Sequence, residues 1–118
     1  MQIVDRSNSE HYLWGDGCDG WHLLKRDDLS IITERVPPGA CEQRHYHVHS
    51  RQFFYILTGV ATIEIDGTKY SLKANQGIEI PPGIAHQFGN ESSEEVTFLV
   101  ISMPKAHGDR VEIDISRI

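Results

Sequence analysis

The sequence predicts an all-β fold, a jelly-roll β-barrel in which two antiparallel sheets pack as a sandwich. Three observations predict it. From residue 21 onward, short runs rich in β-branched and aromatic residues follow one another, turn residues such as Gly, Pro and Asp separate them, and no run has the apolar spacing of an amphipathic helix. Many short strands without helices are typical of barrels and jelly rolls.

Length and charge narrow the classes of protein to which the chain can belong. A chain of 118 residues has the length of one domain, so we expect residues 1–118 to form a single unit with its own core. The net charge of −6 argues against nucleic acid or an anionic membrane as a partner. No segment is apolar over the ~20 residues needed to cross a membrane, and the first residues lack a signal-peptide pattern. We therefore expect a cytoplasmic protein with reduced cysteines.

Residues 1–20 are predicted to be a loop. Residues 15–20 are dense in Gly and Asp, which favour turns, and residues 1–14 mix a short apolar start with polar residues without a helical pattern. The first strand is therefore expected to begin at Trp21.

Ten strands are predicted from Trp21 onward, because each run is bounded by turn residues such as those at 37–39, 66–67 and 81–83. The predicted strands cover residues 21–25, 29–36, 43–47, 52–57, 60–65, 69–73, 77–80, 86–90, 95–102 and 110–115.

Three histidines and one glutamine are the candidate metal ligands. His45 and His47 are two residues apart in a predicted strand, so both imidazoles leave one face, about 6.6 Å apart along the backbone. Residues 48–51 are read as the turn that brings Gln52 back beside them, and the turn at 81–83 delivers His86 at the start of a later strand. Neutral imidazole is the commonest metal ligand in proteins, so we predict one divalent transition metal here, with Gln52 as the fourth donor.

These residues resemble the two sequence motifs of the cupin family, and the chain is identified as a small single-domain cupin with its motifs at 39–59 and 75–90. The first motif is matched by Gly39, His45, His47, Gln52 and Gly59, and the second by Pro81, Gly83, His86 and Asn90. Two positions depart from the pattern. Gln52 stands where the family has an acidic ligand, and Asn75 replaces a glycine, as the residue best able to adopt a positive φ.

Strand alternation predicts which side chains on residues 52–57 face the interior. The predicted inward set is Gln52, Phe54 and Ile56, and the predicted outward set is Phe53, Tyr55 and Leu57. Three large apolar side chains on an outer face are costly to expose, so we expect a cover over them. The resemblance to cupin dimers implies a homodimer. The alternative is that the N-terminal segment of the same chain covers this face.

Several assignments stay open at the level of sequence. Gln52 either binds the metal or hydrogen-bonds a bound water or substrate. His49 shares the parity of His45 and His47, but it falls in the predicted turn. The three motif histidines are alternatively hydrogen-bonded core residues of a cupin without metal. Nitrogen-rich ligation favours Zn, Ni, Fe or Cu, and Mn also belongs to the set of candidate ions.

The resemblance implies a metal-dependent enzyme, a dioxygenase or an isomerase, that acts on a small molecule bearing a carboxylate or an enol. Four neutral ligands would leave the metal its full charge, which favours an anionic small-molecule ligand. The alternatives are a non-catalytic module that binds a sugar or a small acid, and a metal-free structural domain. An inward acid, base or arginine would favour an enzyme, but the orientation of Glu79 is not fixed by its parity, and Arg51 lies in a turn. No catalytic residue is assigned.

Overall fold

Short strands joined by tight turns make up most of residues 1–113, the part of the chain that this computed structural model describes. The strands are β1 Glu10–Trp14, β2 Cys18–Lys25, β3 Ser30–Val36, β4 His45–His47, β5 Arg51–Thr58, β6 Val60–Ile65, β7 Thr68–Lys73, β8 Gly77–Ile80, β9 His86–Gly89, β10 Val96–Met103 and β11 Arg110–Glu112. One turn of 3₁₀ helix, Arg6–Asn8, precedes them. The described residues hold no helix long and apolar enough to span a membrane.

The strands form two antiparallel sheets. One sheet has six strands in the order β1-β2-β3-β10-β5-β8, and the other has five in the order β11-β4-β9-β6-β7. Neighbouring strands along the chain often lie in different sheets, which is how a jelly roll wraps one sheet over the other. The predicted all-β sandwich is confirmed.

The core lies between the sheets and is centred on three phenylalanines. Phe88 and Phe98 stack with their ring centroids 4.0 Å apart, and Phe54 meets Phe88 edge-to-face at 5.6 Å. Alternation along β5 is as predicted, because Phe54 and Ile56 are buried whereas Phe53 and Leu57 are exposed. Replacing one of these core aromatics with alanine would cost about 3–5 kcal/mol of unfolding free energy.

Asn75 and Gly59 are two of the turn positions that adopt a left-handed backbone. Asn75 has φ 67°, so the prediction that it stands in for a glycine is confirmed. Gly59 has φ 85°, and a Cβ there would overlap the carbonyl oxygen of Glu95. Both residues therefore allow turns that ordinary side chains would strain.

The N-terminal prediction was wrong in part. Residues 10–14 form β1, which pairs with β2, and β2 begins at Cys18 and not at Trp21. Because β1 is an edge strand with mostly exposed side chains, it lacks the apolar alternation that marks a strand in sequence. At the other end, β11 ends at Glu112, and residues 114 and 115 of the last predicted strand lie outside the described residues.

The outer face of the six-stranded sheet keeps apolar side chains exposed at β5. Phe53 is 40% exposed and Leu57 is 38% exposed. The described N-terminal segment lies elsewhere on this sheet, with the guanidinium of Arg6 4.2 Å from the centre of the Trp21 ring on β2. This contact is with β2 and not with β5, where Phe53 and Leu57 stay exposed, so it does not support the alternative of an intramolecular cover. The homodimer stays a prediction.

Candidate metal centre

The three motif histidines meet inside the sandwich. His45 and His47 leave one face of β4, as their spacing predicts, and His45 is the cross-strand partner of His86 on β9. All three are buried, and one ring nitrogen from each lies within 4.8 Å of the other two. A metal ion is the ordinary reason for three imidazoles to converge so closely in a protein interior.

Backbone carbonyls fix the orientation of each ring. The Nδ1–H groups donate from His45 to the Gln43 carbonyl at 2.7 Å, from His47 to the Asp109 carbonyl at 3.1 Å, and from His86 to the Ile84 carbonyl at 3.0 Å. With Nδ1 as the donor, the neutral ring keeps its lone pair on Nε2. Hydrogen bonds of this kind orient the ligating histidines of metal sites.

Two buried polar atoms near these rings have no hydrogen-bond partner within residues 1–113. They are Nε2 of His86 and Oε1 of Gln52. The Gln52 amide is held by its other end, because its Nε2 donates to the Ser102 hydroxyl at 3.1 Å. A buried polar atom without a partner costs about 1–3 kcal/mol. These lone pairs therefore fit a divalent cation, whose binding would satisfy them. The assignment of His45, His47, Gln52 and His86 as ligands stays a prediction.

Burial keeps the imidazoles neutral. Loss of solvation lowers the pKa of His45 to about 3 and that of His86 to about 4, and it also lowers the pKa of His47. The neutral form is the one that binds a metal ion, so little proton release opposes loading at pH 7.

The histidines form one wall of a cavity of about 460 Å³, which is a size typical of sites for small molecules. Phe54, Phe88 and Phe98 give it an apolar floor. Further polar side chains that line it come from β1, β3, the segment before β4 and β11, namely Tyr12, Glu34, Glu42 and Arg110.

Two of these side chains are carboxyls held away from water. Burial raises the pKa of Glu34 to about 8 and that of Glu42 to about 7. Glu42 is fixed, because its Oε1 accepts a hydrogen bond from the Phe88 backbone N–H at 2.9 Å. Glu34 makes no side-chain hydrogen bond in the described part of the chain. Its carboxyl is therefore available to a bound molecule.

Tyr12 reaches the cavity because of a glycine. The Tyr12 ring packs on the backbone of Gly20, its neighbour across β1 and β2, and a Cβ at Gly20 would overlap the ring. Burial and the nearby Glu34 raise the pKa of the Tyr12 phenol, so the hydroxyl stays protonated and can donate a hydrogen bond.

Other residues singled out from the sequence lie outside this cavity. His49 is an exposed turn residue whose backbone N–H donates to the Asp109 carboxylate at 2.8 Å, and it does not join the histidine cluster. Arg51 and Glu79 form an ion pair at 2.8 Å on exposed side chains. Cys41 is exposed beside a hollow of about 270 Å³ that the motif histidines do not line.

Among the cavity residues that were missed from the sequence are four polar ones. Tyr12 was placed in a loop, Arg110 was assigned only to a strand, and neither Glu34 nor Glu42 was considered. One signal was present, since Glu34 shares the parity of the apolar Ile32 in the same strand. Nothing local marks Tyr12 or Arg110, because they join the cavity through strand pairing.

Comparison with known proteins agrees with this architecture. The model of a family described as the cupin domain matches residues 32–102. The chain is 35% identical over 69 residues to the polyketide synthase CurC of Streptomyces cyaneus, covering 58% of this chain and 45% of that protein. It is 31% identical over 85 residues to the protein SchB of Streptomyces halstedii, covering 67% of this chain and 62% of that protein. It therefore spans only about half of each of these relatives.

The fold also matches solved structures. The polyketide cyclase RemF from Streptomyces resistomycificus superposes with a TM-score of 0.84 at 18% identity, covering 98% of this chain and 87% of that one. At this identity the likeness carries the fold alone.

Proposed function

Because this chain belongs to the cupin family, we propose that it is a metal-dependent enzyme that transfers protons on a small enolisable carbonyl compound, in an isomerisation or a ring closure. The observation that carries the proposal is the pairing of two walls in one cavity. Neutral imidazoles line one wall together with Glu42, whose Oε1 lies 4.0 Å from Nδ1 of His45, and Glu34, a second carboxyl with a pKa near neutrality, lies on the other sheet.

His45, His47 and His86 would hold the metal through Nε2, and Gln52 Oε1 would either complete the set or bind the substrate. When bound, a divalent metal supplies a Lewis acid that polarises a carbonyl. The sequence-based candidates Zn, Ni, Fe, Mn and Cu all remain compatible with these donors.

Glu34 is the candidate residue for proton transfer. A carboxyl with a pKa near 8 exchanges protons readily at neutral pH, which suits removal of a proton next to a carbonyl and its return at another atom. The Tyr12 hydroxyl lies on the same side of the cavity and would donate a hydrogen bond to a substrate oxygen. The phenylalanine floor excludes water, which strengthens these polar contacts.

The name of one similar protein supports ring closure of a polyketide as one form of this chemistry, because CurC, 35% identical over 69 residues, is a polyketide synthase. Ring closure of a chain of ketones begins by removing a proton between two carbonyls, which is the step that a metal and an acid–base residue promote. Dioxygenation, the other predicted reaction, needs no such acid, so the carboxyl wall favours proton transfer.

Deuterium exchange tests the proposal directly. Acetoacetate in D₂O, followed by NMR, should lose its C2 protons faster with the zinc-loaded protein than in buffer. Glu34→Gln should lower the enzymatic rate by about 10²-fold while keeping its zinc, whereas Glu79→Gln on an exposed side chain should not change it. Binding of acetoacetate without faster exchange would favour the non-catalytic binding module. An unchanged rate in Glu34→Gln would remove Glu34 from the mechanism.

We also propose that a second copy covers the apolar face at β5. Tyr55 is half-buried between the exposed Phe53 and Leu57, so Tyr55→Glu would place a charge in that interface. Sedimentation should show a dimer for the wild type and a monomer for Tyr55→Glu at micromolar concentration. A monomeric wild type would contradict the proposal.

A further inference from the structure

We propose that Arg110 binds the carboxylate of the substrate at the mouth of the cavity, so that the substrate is a keto acid and not a neutral ketone. This inference rests on the proposed function, because it assumes that a carbonyl group binds on the histidine wall.

Strand register places Arg110 on the face of the histidines. β11 pairs with β4 so that Arg110 lies opposite His47, and Glu112 lies opposite His45. Directly paired residues of an antiparallel ladder project their side chains to the same side. Arg110 therefore lines the cavity, while Val111 between the two points away from it.

The guanidinium lies next to the candidate metal ligands. Its Nη2 donates to the Gln43 carbonyl at 3.3 Å, and the same carbonyl accepts the 2.7 Å hydrogen bond from Nδ1 of His45. The Gln43 carbonyl oxygen thus accepts hydrogen bonds from both the Arg110 guanidinium and the His45 imidazole. A small ligand with one end at the Nε2 atoms of the histidines would therefore have its other end close to Arg110.

Most of the donor capacity of Arg110 is free for a ligand. Within residues 1–113 it forms one ion pair, to the Glu112 carboxylate at 3.5 Å, which is long and joins side chains that are 37% and 63% exposed, so this pair contributes little. A guanidinium has five N–H donors in a planar fork, and that fork matches a carboxylate by two parallel hydrogen bonds.

In the described part of the chain, no buried carboxylate forms an ion pair with Arg110. Glu34 and Glu42 line the same cavity, but the carboxylate within ion-pair distance of the guanidinium is that of the exposed Glu112. Across the mouth, Lys25 is already paired with Glu10 at 2.8 Å. An anionic group on the ligand would supply the missing charge, and a keto acid carries one at a short distance from its carbonyl.

A matched pair of ligands separates the role of the carboxylate from that of the ketone. Acetoacetate and methyl acetoacetate share the ketone, and only the first is charged. In calorimetric titrations of the zinc-loaded protein, Arg110→Gln should weaken acetoacetate by about tenfold or more and leave the ester unchanged. Arg110→Lys should retain part of the affinity, because an ammonium keeps the charge but not the fork.

Arg51→Gln is the control, since Arg51 is an exposed arginine paired with Glu79 outside the cavity, and it should change neither affinity. Equal weakening of both ligands, no weakening, or no binding of acetoacetate to the wild type would overturn the role of Arg110. Loss of zinc from Arg110→Gln would also overturn this role, because it would show that Arg110 supports the histidines and does not act on the ligand directly. The proposed function fails separately, if zinc-loaded protein does not accelerate deuterium exchange.

Discussion

The two polar walls of the cavity both lose solvation, yet this loss moves their pKa values in opposite directions. On the five-stranded sheet, loss of solvation lowers the pKa of His45 to about 3. On the six-stranded sheet, it raises the pKa of Glu34 to about 8. In both cases water is withdrawn from the charged form. A desolvating cavity therefore makes bases available to a metal and acids available for proton transfer at the same pH.

The walls also differ in how firmly their groups are held. Each histidine donates Nδ1–H to a backbone carbonyl, which fixes the ring before any ion arrives. Tyr12 instead depends on a missing side chain at Gly20, and Glu34 on packing alone. We therefore expect the wall that contains His45, His47 and His86 (the histidine wall) to be preorganised. The wall that contains Tyr12 and Glu34 (the acid wall) should be easier to disturb.

The largest expected effect is the loss of the metal from the histidine wall. The double substitution His45→Ala, His47→Ala should abolish metal loading, because one imidazole and one amide are too few donors to retain a divalent ion. Elemental analysis of the purified protein measures it, with about one ion per chain expected for the wild type. His49→Ala, two positions further but exposed in the turn, should load normally. Full occupancy in the double variant would contradict the ligand assignment.

The acid wall can be perturbed by a substitution at Gly20, which has no polar side chain. Gly20→Ala should lower the free energy of unfolding by about 1–3 kcal/mol, because its methyl group would overlap the Tyr12 ring. Chemical denaturation measures the change. In the Tyr12→Ala background the ring is absent, so Gly20→Ala should lower the free energy of unfolding much less there than it does in the wild type. Strict additivity of the two substitutions would mean that Gly20 does not position Tyr12.

In metal-free protein, the histidines and Glu34 should change the free energy of unfolding in opposite directions as the pH rises. The depressed folded-state pKa values of His45 and His86 mean that acidification below about pH 6.5 protonates the unfolded chain first and costs stability. The raised pKa of Glu34 means that stability falls as pH rises from about 4.5, its unfolded value, through about 8. A group that binds one proton more in one state than in the other changes the free energy of unfolding by about 1.4 kcal/mol per pH unit.

Denaturant titrations from pH 4 to pH 9 should therefore show a maximum between about pH 5 and pH 7. Glu34→Gln should flatten the alkaline limb and leave the acidic limb in place. An alkaline limb that is the same in Glu34→Gln would show that Glu34 is not held neutral in the folded protein.

The smallest expected effect concerns Gln52, which lies on β5 of the six-stranded sheet. If its free Oε1 binds the metal, Gln52→Glu should tighten metal binding by about fivefold, favour harder ions such as Mn, and weaken anionic ligands. If Gln52 binds only water or substrate, metal affinity should stay constant while acetoacetate binding still changes. Calorimetry distinguishes the two cases. Unchanged values for both would mean that Gln52 contacts neither the metal nor the ligand.

Local sequence patterns determined the histidine wall. The spacing of His45 and His47, the predicted turns at 48–51 and 81–83, and the alternation along β5 each depend on residues close together in the chain. Strand parity and turn chemistry act over such short distances, so they predicted the fold class, the inward face of β5 and the convergence of three imidazoles.

Only the tertiary structure decided the rest of the site. β1 is a strand because β2 offers it hydrogen bonds, Tyr12 enters the cavity because Gly20 lies opposite, and Arg110 does so because β11 pairs with β4. The raised pKa of Glu34 likewise depends on side chains that the second sheet packs over it. These properties belong to pairs of residues far apart in the chain, and no local periodicity encodes such pairs.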